Sequence, residues 1–137
     1  MLYIRRRDYE KIIFHAKEML PEEACGLIAG IMEGKDKRIE KIYKMQNADH
    51  SDKHFSMDPK EQIRVEKDAR ENGMMILGNY HSHPKAPAFP SKKDIELAYD
   101  LQADYLILSL MDLGQPVLKA FMFDEKKRII ENTIEYL

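Results

Sequence analysis

The sequence predicts an α/β (α+β) fold: a single domain over residues 1–137 with a mixed central β-sheet flanked by helices. Three observations point there. Segments with helical spacing of apolar residues alternate with short apolar runs of strand length, in the order βαββαβαβββ. Pro and Gly punctuate nearly every junction between them. The chain has 137 residues, 44% hydrophobic and 34% charged, the size and balance of one globular domain.

The elements follow in order. Residues 2–5 suit a short first strand. From Asp8, the positions Tyr9, Ile12, Ile13, Ala16, Met19 and Leu20 keep helical spacing, and Pro21 ends the helix because it lacks the N–H that the next turn needs. Residues 24–32 are an almost unbroken apolar run, the pattern of a buried strand. A turn at Gly34-Lys35-Asp36 leads into a strand over 39–45, with Ile39, Tyr43 and Met45 on one face and Ile42 breaking the alternation. Residues 47–52 are polar and loop-like, and 55–57 fit a short strand. Asp58 as N-cap and Pro59 at the first helical position open a helix to about Asn72, closed by Gly73. Residues 74–80 form a buried strand, with at least one of Met74 and Met75 inside. A loop with Pro84, Pro87 and Pro90 precedes a helix from Ser91 to about Tyr99. Strands over 105–110 and 117–123 flank a Gly114-Gln115 turn. Residues 129–136 make a last strand with Ile130, Thr133 and Ile134 as candidates for burial.

Composition excludes several classes. No apolar run approaches the ~20 residues of a membrane span. Three arginines follow the short apolar start, the reverse of a secretory signal, so a cytoplasmic location is expected. One cysteine, Cys25, rules out an internal disulfide framework and a Cys-rich zinc finger. A net charge of −2 gives no bulk case for nucleic acid, and no Gly-rich phosphate loop is present.

The informative stretch is His81-Ser82-His83-Pro84, followed by Ser91 and Asp94. Histidines at i and i+2 of a strand project from one face. Imidazoles are good zinc ligands, and Asp94, in the first turn after the proline loop, is a natural third. Three protein ligands leave the fourth tetrahedral position to water, as in catalytic rather than structural zinc sites. Each piece has a plainer explanation. A His pair at a strand end is more often solvated, and Ser91-Lys92-Lys93-Asp94 also matches a helix capping box; the hydroxyl of Ser91 is free to serve both roles.

Taken whole, His-Ser-His-Pro, six residues, Ser, two residues and Asp resembles the signature of the JAMM (MPN-domain) zinc metallopeptidases, with no departure. Pro21-Glu22-Glu23-Ala24-Cys25-Gly26-Leu27 looks like the family's glutamate segment, with Glu23 the better match by Glu-x-Cys-Gly and Glu22 the alternative. Residues 55–59 with Glu61-Gln62, and 105–110, are similar to the compact prokaryotic branch, so the resemblance covers essentially the full chain. It implies a cytidine deaminase-like fold and one zinc per chain on His81, His83 and Asp94. Glu23 would accept a proton from water and pass it to the leaving amine, and Ser91 would donate to the oxyanion. The implied substrate is the amide or isopeptide bond after the C-terminal Gly-Gly of a small ubiquitin-like or sulfur-carrier protein, with no nucleic acid or membrane partner. An extended tail would add along a neighbouring strand.

Other readings are weaker. A non-catalytic MPN scaffold that binds partner proteins usually lacks a ligand, whereas here all are present. A DNA-repair relative usually carries Asn where Ser82 stands. A zinc nucleoside deaminase needs His-x-Glu and Cys-x-x-Cys. Cys25 reads as a buried structural thiol, and His15, His50 and His54 as solvated side chains, the last two bordering the groove.

Overall fold

The computed structural model describes residues 1–137. Its strands are β1 (Leu2–Ile4), β2 (Cys25–Glu33), β3 (Asp36–Met45), β4 (Met75–His83), β5 (Asp104–Ser109), β6 (Val117–Phe123), β7 (Ile129–Asn132) and β8 (Ile134–Tyr136). The helices are α1 (Arg6–Glu18), α2 (Pro59–Glu71) and α3 (Lys92–Glu96). All strands join one mixed sheet in the order β7-β6-β5-β4-β2-β3-β1-β8. The pairs β1/β3, β1/β8 and β4/β5 are parallel and the others antiparallel.

The segment expected as one last strand is two. Thr133 alone separates β7 from β8, yet these pair at opposite ends of the strand order. β7 and β8 are therefore the two edge strands, and because one continuous segment supplies both, the sheet curls to bring its edges together. The Thr133 carbonyl accepts from the Leu2 N–H at 2.9 Å. Because the segment lies on the rim, Ile130 and Thr133 are exposed, contrary to expectation; Ile134 is half-buried against the core.

The apolar stripe of α1 fills the concave face of the curl. Ile12 and Ala16 pack there with Leu2, Ile28, Ile39 and Leu106. His15 lies on this face too. It is buried, with Nδ1 2.7 Å from the Tyr80 hydroxyl, and is not the solvated side chain expected. One end of the curl holds a polar cluster: the Lys37 ammonium sits 2.8 Å from Asp104, whose other oxygen accepts from Asn132 at 2.9 Å. A buried charge survives folding only when paired in this way.

On the convex face, α2 covers β2 and β4 through Val65, Leu27 and Ile76, beside Met45 of β3. Asp58 caps it by accepting from the Lys60 N–H at 3.0 Å, and Gly73 leaves it with φ +73°. In β3 a bulge at Glu40 shifts the register, since Ala29 faces Lys41 and Gly30 faces Ile39. That extra residue puts Ile39 and Ile42 on the concave side and leaves Tyr43 and Met45 on the convex side, correcting the expected alternation. Residues 55–57 form no strand. The third helix stops at Glu96 rather than Tyr99, and the Lys127 ammonium donates to its last carbonyls, Ile95 at 3.1 Å and Glu96 at 2.7 Å. Met75 is exposed and Met74 only half-buried, so neither is inside. No helix is long and apolar enough to cross a membrane.

Candidate metal centre

Strand alternation sends His81 and His83 to the convex face and Ser82 to the concave one. All three are buried. After β4 the chain turns through the proline loop, which is tied back to the sheet. The Ser109 hydroxyl donates to the Ala86 carbonyl at 2.6 Å, and the His83 Nδ1–H donates to the Pro87 carbonyl at 2.9 Å. This return brings α3 over the strand end. Ser91 caps it in a complete capping box: its hydroxyl accepts from the Asp94 N–H at 3.1 Å, and Asp94 accepts from the Ser91 N–H at 2.9 Å. The capping and ligand readings are therefore not alternatives. The Asp94 Oδ2 that closes the box also lies 3.2 Å from Nε2 of both histidines.

Those Nε2 atoms are 3.1 Å apart. A tetrahedral zinc with ligands at ~2.0–2.1 Å has ligand-to-ligand edges of about 3.3 Å. The three separations match such a face, and the three donor atoms form the chain's one cluster of metal-ligating groups. Donation from Nδ1 to Pro87 leaves the His83 Nε2 lone pair free, the usual way in which a metal-bound histidine is oriented. Burial disfavours the charged form of His81, so its ring is neutral as a ligand must be. Burial alone would raise the Asp94 carboxyl, but its hydrogen bonds with His81 and His83 hold it well below the usual carboxylate range. At His83 burial works against the charged form, but Asp94, the Pro87 carbonyl and Glu23 together raise its pKa. Two imidazoles, one carboxylate and an open side fit a zinc ion.

Glu23 precedes β2 beside this cluster. Its N–H donates to the Ser51 carbonyl at 2.8 Å, and its carbonyl accepts from Asn47 Nδ2 at 3.1 Å. Its side chain is 3% exposed, and Oε1 has no hydrogen-bond partner. Burial pushes its pKa up to about 8; His83 opposes this, and the carboxylates of Asp94 and Asp52 add to it. Glu22, the alternative, points outward and meets His50 Nδ1 at 3.2 Å. Glu23, His83 and Ser91 line one cavity of about 250 Å³. On the other side of the ligands, a recess of about 180 Å³ is walled by Leu27, Phe55, Met57 and Ile107, with His81 and Asp94 at its edge.

Three further residues shape the site, and of these only Phe55 lay in a segment singled out from sequence. Phe55 stacks on the His81 ring, centroids 4.7 Å apart at 28°. Asn79 presents a buried, unpartnered Oδ1 to the apolar recess. Asn47 is 1% exposed; its amide nitrogen reaches the carbonyls of Glu23, Ser51 and His54, and its oxygen accepts from the Asp49 and Ser56 N–H groups. Phe55 carried its signal in the 55–59 segment that resembles the compact prokaryotic branch; Asn47 and Asn79 carried none. Cys25 is buried as expected, with its thiol pushed up to about 12 by burial first and nearby carboxylates second. His50 is exposed, and His54 sits on the loop surface 2.9 Å from Asp49.

The chain is similar to known proteins over most of its length. The CysO-cysteine peptidase of Mycobacterium tuberculosis is 33% identical over 121 residues, covering 88% of this chain and 82% of that protein. A desampylase of Pyrococcus furiosus is 31% identical over 125 residues, covering 91% and 84%. A solution structure of a Desulfitobacterium hafniense protein superposes with a TM-score of 0.93 at 42% identity, covering 100% of this chain and 93% of that one. Residues 5–124 match the family described as prokaryotic homologs of the JAB domain, and with that match over most of its length the chain belongs to this family.

Proposed function

We propose that the protein is a zinc-dependent peptidase that hydrolyses the amide bond after the C-terminal Gly-Gly of a small ubiquitin-like or sulfur-carrier protein. The observation that carries this reading is the convergence of His81, His83 and Asp94 at zinc-like separations beside a buried, unpaired Glu23. The names of the two relatives, a CysO-cysteine peptidase and a desampylase, support it.

Each residue has one task. His81, His83 and Asp94 hold the ion, which when bound polarises the scissile carbonyl and lowers the pKa of water. Glu23 takes a proton from the attacking water as its oxygen bonds to the carbonyl carbon. It returns that proton to the nitrogen as the C–N bond breaks, so a single residue serves as base and then acid. In the metal-free chain burial raises this carboxyl, which makes its ionised form a stronger proton acceptor and suits it to both steps. The Ser91 hydroxyl already accepts from the Asp94 N–H, so its own proton remains to donate to the oxyanion. The apolar recess suits the carrier's tail, and Gly-Gly has no Cβ to meet the ligand cluster where the tail passes it.

The test is mass spectrometry of carrier conjugates incubated with zinc-loaded protein. Cleavage after Gly-Gly is expected, with loss under chelator or in Glu23→Gln, and strong suppression when the final Gly becomes Val. Efficient cleavage of the Val conjugate, or hydrolysis of unrelated short peptides only, would reduce the protein to a generic zinc peptidase.

A further inference from the structure

Resting on that peptidase reading, we infer that Asn47 is a positioning residue that sets two working parts of the site from one point: the backbone of Glu23 and the Phe55 wall of the apolar recess. Residues 46–58, between β3 and α2, form no helix or strand, so no ladder or helical turn orders them. One buried amide does so instead. Asn47 Nδ2 donates to the carbonyls of Glu23, Ser51 and His54, and Oδ1 accepts from the N–H groups of Asp49 at 3.0 Å and Ser56 at 3.3 Å. Those bonds use both N–H donors and both acceptor sites of the side chain. The Ala48 N–H closes the loop on the Ser56 carbonyl at 2.9 Å. Both working parts hang on these bonds. The Glu23 carboxyl has no partner at Oε1, so its aim depends on the backbone that carries it. That backbone donates its N–H to Ser51 and offers its carbonyl to Asn47, and Asn47 grips the Ser51 carbonyl as well. Phe55 lies between His54, held by its carbonyl, and Ser56, held by its N–H, and its ring stacks on His81 as it walls the recess. The metal-ligating groups are oriented separately, by the Pro87 carbonyl and the Ser91 capping box. Loss of the amide therefore disturbs proton transfer and tail binding and leaves the ligand cluster in place.

The experiment measures steady-state cleavage of a Gly-Gly carrier conjugate by zinc-loaded wild type, Asn47→Ala and Asn47→Asp, with the zinc content of each. Amide hydrogen exchange is followed by NMR on the metal-free wild type. Asn47→Ala is expected to keep its zinc, to lose about 10- to 100-fold in kcat through the misplaced base, and to rise about fivefold in KM through the displaced wall. An ionised Asp retains the acceptor for Asp49 and Ser56 but donates nothing to Glu23, so Asn47→Asp should show the kcat loss with KM close to wild type. A purely structural role would lower the melting temperature and leave kcat and KM of the folded protein unmoved. In the wild type, the N–H groups of Glu23, Asp49 and Ser56 should exchange with one common protection, because a single side chain ties them together. Wild-type kcat in Asn47→Ala at full zinc content, loss of zinc from that variant, or independent exchange of Glu23 and Ser56 would overturn the positioning role. If the wild type cleaves no conjugate, the carrier reading fails, and the exchange pattern alone decides whether Asn47 couples Glu23 to the loop; it decides equally if both variants fail to fold.

Discussion

Glu23 combines deep burial with no hydrogen-bond partner at Oε1, and that has a measurable cost in the metal-free protein. Its carboxyl stands near 8 in the folded chain against an ordinary 4.5. The sign follows from linkage: the folded state binds the proton more tightly than the unfolded state does. The favourable contribution of the neutral acid is complete below about 4.5 and is lost as pH rises towards 8, above which the folded protein carries a buried charge. At 1.36 kcal/mol per pH unit the full span is roughly 4–5 kcal/mol, and relaxation around an ion bordering a cavity reduces this to an expected ~2–4 kcal/mol. Glu23→Gln keeps the shape and abolishes the titration. Urea unfolding of chelator-treated protein at pH 5 and pH 9 therefore should show the wild type losing ~2–4 kcal/mol more than the variant across that interval. Added zinc should shrink the difference, because a nearby cation favours the carboxylate. Parallel pH curves for the two proteins would refute the buried-charge account of Glu23.

Three further outcomes are expected. His83→Ala should lose stoichiometric zinc by elemental analysis, since the two ligands left hold the ion weakly; zinc content equal to wild type would refute the assignment. Ser91→Ala should cost about 1 kcal/mol through the missing cap and roughly 10²–10³ in rate, whereas Ser91→Asp should recover the cap in thermal melts without recovering the rate, because it has no proton to donate. Cys25, buried with its thiol near 12, should resist alkylation at pH 8 in the native protein and react once it is unfolded; rapid native labelling would contradict its burial.

Much of the site was legible because its chemistry is written in local spacing. The period of a strand places His81 and His83 on one face, and a capping box fixes Asp94 at the start of the next helix. What local spacing cannot carry is register between distant segments. The bulge at Glu40 moved Ile42 to the other face from the one alternation suggests, and Thr133 divided one strand between two sheet edges. His15 and Asn47 look like surface residues by type. They are buried because Tyr80 satisfies the first, and the Glu23 carbonyl with the Ser51 and His54 carbonyls of its own loop satisfy the second.

Ser82 shows how the motif joins its distant parts. The same alternation that turns both histidines outward turns this residue inward, where it is 1% exposed. There its Oγ accepts from the Ala24 N–H at 2.8 Å, while its own N–H donates to the Ala24 carbonyl at 3.0 Å. Ala24 directly follows Glu23, and the adjoining residues Cys25 and His81 are paired in the β2/β4 ladder. The middle residue of His-Ser-His thus clamps β4 to the segment bearing the glutamate. A small side chain with both an acceptor and little bulk suits the position, since the Ala24 N–H would otherwise be buried without a partner. The spacing of His81 and His83 from Glu23 is set from beneath the sheet, by a hydrogen-bonded pair that faces away from the candidate site.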